Sequence, residues 1–228
     1  MSVAKVFDML VSGVDDAGRG SVIGPLAIAG ISLEEKDLSK LANLGVKDSK
    51  LLSPKKRETL AYEIKELALS YNVVLLSPTE IDRVVETGKR LHRLNRLEAQ
   101  TMARVLAALK PDVAYVDASD ILPDRFAEHI AEKLSFSPKI VCEHKADANY
   151  PIVSAASIVA KVERDRVISK LQKKHGNMGC GYPSDPNTIE FLENWIRKFG
   201  DYRDFVRKSW KTAKRVKSKA DSKQKKLQ

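Results

Sequence analysis

The chain has 228 residues, of which 43% are hydrophobic and 31% charged, and its formal net charge is +10. This length allows one substantial core, with or without a small appended piece. The sequence has no apolar stretch typical of a signal peptide or a membrane span, and its two cysteines, Cys142 and Cys180, lack metal-type spacing. We therefore expect a cytoplasmic protein with reduced thiols and no membrane partner.

The positive charge is concentrated at the C-terminal end. Residues 206–228 contain ten basic residues and one acid, a net charge of +9, so the preceding residues are nearly neutral. This asymmetry favours a polyanionic partner for residues 207–215, where Trp210 interrupts the charges. For the residues after Val216, a merely solubilising tail is an equally good interpretation.

Apolar periodicity predicts strands and helices that alternate along the chain. Strands are predicted at the apolar run before Asp15 and over residues 22–31, 73–76, 112–117 and 140–143. Helices are predicted from Ser53-Pro54 onward, from after Gly88 to Leu109, over residues 124–134, after Pro151, and over residues 189–199. Residues 41–52 and the glycine- and proline-rich segment 176–186 are expected to be loops.

This order of elements favours an α/β fold. Strands that alternate with helices pair in parallel, whereas the short loops near the N-terminus favour antiparallel pairing. We expect a mixed five-stranded sheet flanked by helices, formed by residues 1–175. A small helical extension that binds substrate is expected over residues 176–216, followed by a basic, disordered tail over residues 217–228.

The motif GVDDAGRG near the N-terminus suggests phosphodiester chemistry. Asp15 and Asp16 offer oxygen ligands to a hard divalent metal, and Arg19 between Gly18 and Gly20 suits a closely approaching phosphate. An isolated match of this kind is also explained by an ordinary turn. Successive side chains on a strand point to opposite faces, so both aspartates reach one metal cluster only if the strand ends there.

Two more aspartates are predicted at the same edge of the sheet. Asp117 ends the strand over residues 112–117, and Asp147 follows the strand over residues 140–143. Ligands of such sheets bind at the carboxyl ends of the strands. Each aspartate alone is better explained as a loop residue or helix cap. Together, carboxylates without His or Cys partners favour Mg²⁺ or Mn²⁺, and two such ions can hydrolyse phosphodiesters.

Other candidates are weaker. Lys47, Ser49 and Lys50 could contact a phosphate backbone, although a loop of this composition is usually a solvated turn. Tyr182, between glycine and proline, could stack on a sugar or base, or could simply anchor its loop to the core.

Six segments in this order closely resemble archaeal-type ribonuclease HII, over roughly residues 12–215: GVDDAGRG, VKDSK, YVDASD, HKADANYPIVSAASIVAKVERD, GYPSDP and RKSWKT. The resemblance implies an RNase H-like fold and a metal-dependent endoribonuclease. It implies two ions, Mg²⁺ or Mn²⁺, and two substrates: RNA–DNA hybrids, and duplex DNA with embedded single ribonucleotides. Cleavage would leave 3′-hydroxyl and 5′-phosphate ends.

The resemblance also implies roles for individual residues. Asp15, Asp16, Asp117 and Asp147 would be the catalytic, metal-binding carboxylates. Gly18, Arg19, Gly20 and Tyr182 would bind the substrate at the 2′-hydroxyl of the RNA–DNA junction. From their residue types, we expect Lys47, Ser49 and Lys50 to bind the flanking backbone.

One position departs from the family pattern. The family motif has Asp followed by Glu, whereas this chain has Asp16 in the Glu position. The side chain is shorter by about 1.5 Å, more than the roughly ±0.2 Å that metal–ligand distances tolerate. We therefore expect altered metal dependence, and the alternative function is a catalytically impaired protein that binds RNA–DNA hybrids.

Partners beyond the nucleic acid are weakly indicated. Residues 224–227 (QKKL) resemble the start of a sliding-clamp-binding peptide without its aromatic pair, and a charged tail explains them better. We expect a monomer.

Overall fold

The computed structural model describes residues 8–46, 53–87 and 93–225. Five strands form one sheet in the order β3-β2-β1-β4-β5. The strands are β1 (Leu10–Ala17), β2 (Leu26–Glu34), β3 (Ser70–Leu76), β4 (Val113–Asp117) and β5 (Lys139–Glu143). The expected α/β architecture, a mixed five-stranded sheet with flanking helices, is confirmed.

Helices separate most of the strands and follow the last one. They are α1 (Leu38–Asn43), α2 (Pro54–Leu67), α3 (Pro78–Thr87), α4 (Arg93–Leu109), α5 (Pro123–Ala131), α6 (Ala146–Asn149), α7 (Pro151–His175), α8 (Pro186–Phe199) and α9 (Lys211–Lys225). A short 3₁₀ turn (Glu35–Asp37) precedes α1. None of the helices in the described part of the chain has the length and apolarity that crossing a bilayer requires.

The predicted parallel strands pair as expected. In the β1–β4 ladder Val14 lies opposite Val116, and in the β4–β5 ladder Asp117 lies opposite Glu143. A connection between parallel strands needs a crossover, and α5 supplies the one between β4 and β5. The carboxyl ends of β1, β4 and β5 therefore lie along one edge of the sheet.

The chain divides into two compact units, and each consists of several separate segments. The first unit contains residues 1–16, 28–74 and 98–162, and the second contains residues 17–27, 75–97 and 163–228. This division differs from the contiguous boundaries expected at residues 175 and 216. The physical reason is that segments far apart in the chain pack on a common core within each unit.

In the first unit, small residues let helices approach the sheet closely. A side chain on Gly13 would bring its Cβ within 2.3 Å of the Ile152 carbonyl oxygen at the start of α7. A Cβ on Gly30 would lie 2.4 Å from a methyl carbon of Val105 on α4. Glycine at these two strand positions is therefore required by packing, since any side chain would push a helix away from the sheet.

The second unit has its own apolar core. Its fully buried members include Val22, Ile23, Met178, Leu192 and Ala213. The backbone amides of Val22 and Ile23 both donate to the Gly181 carbonyl oxygen, at 2.8 and 3.1 Å. The sequence predicts that this strand begins at residue 22. It begins instead at Leu26, because the amides of Val22 and Ile23 bond to a loop rather than to a neighbouring strand of the sheet.

The C-terminal end also differs from the expectation. Residues 217–228 were expected to be disordered, but α9 continues to Lys225. Ala213 and Val216 are buried in the core of the second unit, and Ala220 packs against it. These small apolar residues recur at helical spacing among the lysines, which anchors one face of the basic helix.

Helix α3 was not predicted from the sequence. The Ser77 amide and hydroxyl donate to the Glu80 carboxylate, at 2.8 and 2.7 Å, and the Glu80 amide donates back to the Ser77 hydroxyl at 3.2 Å. This is a capping box, whose signature S-x-x-E could have revealed the helix. The predicted helix start at Ser53-Pro54 is confirmed, since Ser53 accepts a hydrogen bond from the Lys56 amide.

Candidate active site

Asp15 is the most deeply buried of the four predicted carboxylates. It lies on β1 with 6% of its surface exposed, and its Oδ1 accepts a 2.6 Å hydrogen bond from the Asp16 amide. Burial is the main cause that raises its pKa well above the ordinary value, and the charges of Asp16 and Asp117 raise it further. The Ser157 hydroxyl, on α7, donates a hydrogen bond that partly opposes this shift.

Asp16 reaches the start of the loop that follows β4. Its Oδ2 accepts a 3.0 Å hydrogen bond from the Ser119 hydroxyl. Strand β1 continues through Asp15 and Asp16 to Ala17, so the expectation that the strand ends at the aspartates is wrong. The two carboxylates are nevertheless close enough for the charge of Asp16 to raise the pKa of Asp15. The chain leaves the strand at Gly18, which adopts a φ of +93°.

Asp117 links β4 to the segment that carries Asp147. Its Oδ1 accepts a 2.7 Å hydrogen bond from the Ala146 amide, the first residue of α6. Lys145, just before α6, adopts the left-handed conformation with a φ of +58°. The left-handed conformation of Lys145 turns the chain after β5. Asp147 is the residue after Ala146, whose amide bonds to Asp117.

Glu143 contacts the other end of the same short helix. The Tyr150 hydroxyl donates to one oxygen of its carboxylate at 2.8 Å, and the Asn149 amide nitrogen donates to the other at 3.3 Å. The Tyr150 ring also packs on Tyr115, with centroids 4.5 Å apart. Sequence reasoning missed Glu143, although its position at the end of a strand beside Asp117 was a usable signal.

The donor set fits a hard divalent cation. Asp15, Asp16 and Asp117 supply carboxylate oxygens only, and their mutual repulsion is what a bound cation would relieve. Burial, followed by acidic neighbours that include Asp117, raises the pKa of Cys142 to about 12, so this thiol stays protonated and is a poor ligand. Within the described residues, no three His, Cys, Asp or Glu side chains already form a closed ligand set.

In the second unit, the glycine-flanked arginine is fixed by side chains distant in sequence. Arg19 Nη2 donates to the Asn95 side-chain oxygen at 2.7 Å. Its carbonyl oxygen accepts a 2.8 Å hydrogen bond from Nη1 of Arg207, which is fully buried and also donates to the Gly24 carbonyl at 3.2 Å. Arg207 thus fixes the backbone on both sides of this loop, a role that the sequence did not reveal.

Tyr182 lies against a second buried arginine. The Arg164 guanidinium carbon is 4.6 Å from the centre of the Tyr182 ring, and Arg164 Nη2 donates to the Cys180 carbonyl at 2.8 Å. A Cβ on Gly18 would lie 2.6 Å from the same arginine side chain. Arg164 therefore contacts both the glycine loop and the tyrosine, and brings together two of the predicted substrate-binding elements.

The remaining predicted residues give less information. Lys47, Ser49 and Lys50 lie outside the described residues. Gly20 has open space around the position of an added Cβ, so packing does not require glycine there. Asp147 is partly buried within α6, between the residues held by Asp117 and Glu143.

Comparisons with known proteins agree with this architecture. The family model for ribonuclease HII matches residues 12–213. The ribonuclease HII of Thermococcus sibiricus is 49% identical over 213 residues, which cover 92% of each chain. The crystal structure of ribonuclease H2 from Pyrococcus horikoshii is 46% identical, with a TM-score of 0.86 over 93% of this chain and 99% of that one.

A second solved relative is ribonuclease HII in the PCNA:RNase HII complex from Archaeoglobus fulgidus. It is 42% identical, with a TM-score of 0.82 over 90% of this chain and 96% of that chain. The chain therefore belongs to the ribonuclease HII family, and it is a divalent-metal-dependent type 2 ribonuclease H that acts on RNA–DNA hybrids.

Proposed function

We propose that the enzyme cleaves hybrid RNA and also cuts on the 5′ side of single ribonucleotides embedded in duplex DNA, leaving 3′-hydroxyl and 5′-phosphate ends. The observation that carries this proposal is the placement of the buried Asp15 near Asp16 and Asp117, whose charges both raise its pKa. Carboxylates held close in this way bind hard cations, which are the usual agents of phosphodiester hydrolysis.

Four carboxylates would hold the metal: Asp15, Asp16, Asp117 and Asp147. When bound, two Mg²⁺ or Mn²⁺ ions supply Lewis-acid stabilisation of the attacking and departing oxygens. The chain's own residues fix the ligands. Ser157 orients Asp15, Ser119 orients Asp16, and the Ala146 amide orients Asp117. Ligands fixed before the metal arrives keep the ions in position during the reaction.

The glycine loop and Tyr182 are proposed to recognise the ribose. Gly18, Gly20 and the backbone of Arg19 offer backbone amides to the ribose, and Tyr182 offers a ring face to the sugar. The 2′-hydroxyl both donates and accepts hydrogen bonds, so it distinguishes ribose from deoxyribose. Arg164 and Arg207 support this recognition by fixing the two loops.

Defined duplexes test this function. Substrates with one or four ribonucleotides, and an all-DNA duplex, are incubated with Mg²⁺ or Mn²⁺, and the product ends are mapped. We expect one cut 5′ of the single ribonucleotide and no cut in the DNA. Cleavage of the four-ribonucleotide duplex alone would contradict the single-ribonucleotide activity. Binding of hybrids without cleavage would instead favour the impaired hybrid-binding protein.

A sliding clamp is proposed as a further partner because one archaeal relative has been solved in complex with PCNA. The segment concerned is residues 224–227, of which residues 226 and 227 lie outside the described residues. Size-exclusion chromatography with a clamp tests it. Coelution that deletion of residues 224–228 abolishes supports the proposal, and separate elution contradicts it.

A further inference from the structure

Aromatic and basic side chains line a cleft at the end of α7 and along α8. The cleft has a volume of about 420 Å³, within the usual range of ligand sites. It uses none of the residues assigned above to cleavage. Its aromatic members are His175, Phe191, Trp195 and Phe199, and its basic members are Lys174, Lys198 and Arg203.

The aromatic part of the cleft combines a buried ring, Trp195, with an exposed one, Phe199. Trp195 is 8% exposed, and its ring centroid lies 4.5 Å from that of Phe199. His175 contacts Trp195 edge-on, with centroids 5.4 Å apart. Phe199 is the last residue of α8 and is 54% exposed. A buried support therefore presents Phe199 to the solvent, which is a favourable arrangement for stacking.

The cations of the cleft are only partly compensated: Lys198 Nζ lies 5.2 Å from the centre of the Phe199 ring, and the charge of Asp204 acts on His175. Within the described part of the chain, no carboxylate lies at ion-pair distance from Lys174, Lys198 or Arg203. By contrast, Lys217 and Lys219 in the same unit pair with acids at 2.7 and 3.1 Å. Positive charge without an ion-pair partner beside an aromatic surface attracts an anionic ligand.

The basic residues of the cleft also affect the pKa of His175, which lines it. Burial lowers the pKa of His175, Lys174 and Arg203 lower it further, and Asp204 opposes them only in part. His175 is therefore mainly neutral near pH 7 and contributes an aromatic surface rather than a fourth cation.

We propose that this cleft binds single-stranded nucleic acid, with an unpaired base against Phe199 and adjacent phosphates near Lys174, Lys198 and Arg203. Aromatic rings combined with cations are the usual binding surface for unpaired strands. A duplex does not suit this surface, because its base faces are already stacked. An acidic peptide matches the charge but has no base to stack on Phe199. The proposal does not depend on where or how the enzyme cuts.

Binding of a labelled oligothymidylate about 12 nucleotides long to the full chain, without metal, tests the stacking. We expect Phe199→Ala to weaken binding roughly tenfold, because stacking of a base contributes about 1–3 kcal/mol. Phe199→Tyr keeps the ring and should bind like the unmodified chain, which separates stacking from misfolding. Tyr62→Ala removes an aromatic residue that is 64% exposed on α2 and should have no effect.

A salt titration tests the cations, and fluorescence locates the ligand. Lys198→Gln or Arg203→Gln should lower the slope of log K against log salt by about one, while exposed Lys133→Gln should not. The oligonucleotide should quench tryptophan fluorescence, and Trp195→Phe should remove most of this quenching. Equal affinity of the unmodified chain and Phe199→Ala overturns the proposal. So does polyglutamate that competes equally well, because the site would then be one for acidic protein segments.

Discussion

Asp117 and Glu143 occupy partner positions on the parallel strands β4 and β5, and each holds one end of the short helix that carries Asp147. Asp117 accepts a hydrogen bond from the backbone amide of Ala146, the residue before Asp147. Glu143 accepts a hydrogen bond from the side-chain amide of Asn149, two residues after Asp147. The position of one predicted ligand is therefore fixed by a second predicted ligand and by an acid that the sequence analysis had not considered.

Glu143→Gln tests this positioning. The amide retains one acceptor oxygen but loses the charge and the second acceptor, so Asp147 should be held less firmly. We expect a 10- to 100-fold loss of metal affinity, which is typical when a residue supporting a ligand is changed. Calorimetric titration with Mn²⁺ measures the affinity directly, without substrate. Glu132→Gln, at an exposed position just after α5, is the matched control, and an equal loss there would contradict the prediction.

Arg164→Lys should separate charge from geometry in the second unit. Lysine keeps the positive charge but cannot both donate to the Cys180 carbonyl and lie over the Tyr182 ring as the planar guanidinium does. We expect the free energy of unfolding to fall by about 2–3 kcal/mol, with at least a tenfold loss of kcat/KM on a single-ribonucleotide duplex. Thermal unfolding and cleavage assays measure these effects. Exposed Arg166→Lys should leave both unchanged.

Asp16→Glu restores the residue expected from the family resemblance. The side chain lengthens by about 1.5 Å, so its contact with Ser119 must rearrange and its oxygens move relative to Asp15 and Asp117. We expect the half-saturating concentrations of Mg²⁺ and Mn²⁺ to change, with the larger change for one of the two ions. Cleavage rates against metal concentration measure this. Identical curves for the variant and the unmodified chain would contradict the prediction. Asp124→Glu, at an exposed position, serves as the control.

Asp15→Asn should stabilise the metal-free protein while abolishing cleavage. The raised pKa of Asp15 means that the folded chain binds more protons than the unfolded chain, whose Asp pKa is about 3.9. Its contribution to stability therefore falls as pH rises from about 3.9 through the raised value. At neutral pH without metal, the variant should gain about 1 kcal/mol or more, roughly 2–4 °C in Tm.

Thermal unfolding in a chelating buffer across this pH range checks the prediction for Asp15→Asn. The difference in Tm between the two proteins should vanish at acidic pH and grow as pH rises. Asp124→Asn, an exposed change on α5, should follow the unmodified chain at every pH. A variant less stable than the unmodified chain at neutral pH would show that the Asp15 charge is compensated in the folded protein.

Local pattern was a reliable guide to the elements of the sheet. The strands that end at Asp117 and Glu143 were predicted within one residue, because short apolar runs between helices have few other structures available. The pattern failed at Val22 and Ile23, which are as apolar as the strand that follows them. Their amides bond to Gly181, a partner that no local pattern could indicate.

By itself, the sequence determined the fold class, the family and the types of residue available for catalysis, because these depend on periodicity and on motifs read within short segments. Four aspartates at predicted strand ends already indicated oxygen ligands for a metal, and their roles remain predictions. Only the tertiary structure decided what holds these residues in place. Arg164, Arg207 and Glu143 act through contacts with residues that are close in space, and hydrogen-bond partners of buried charges are set by packing rather than by sequence order.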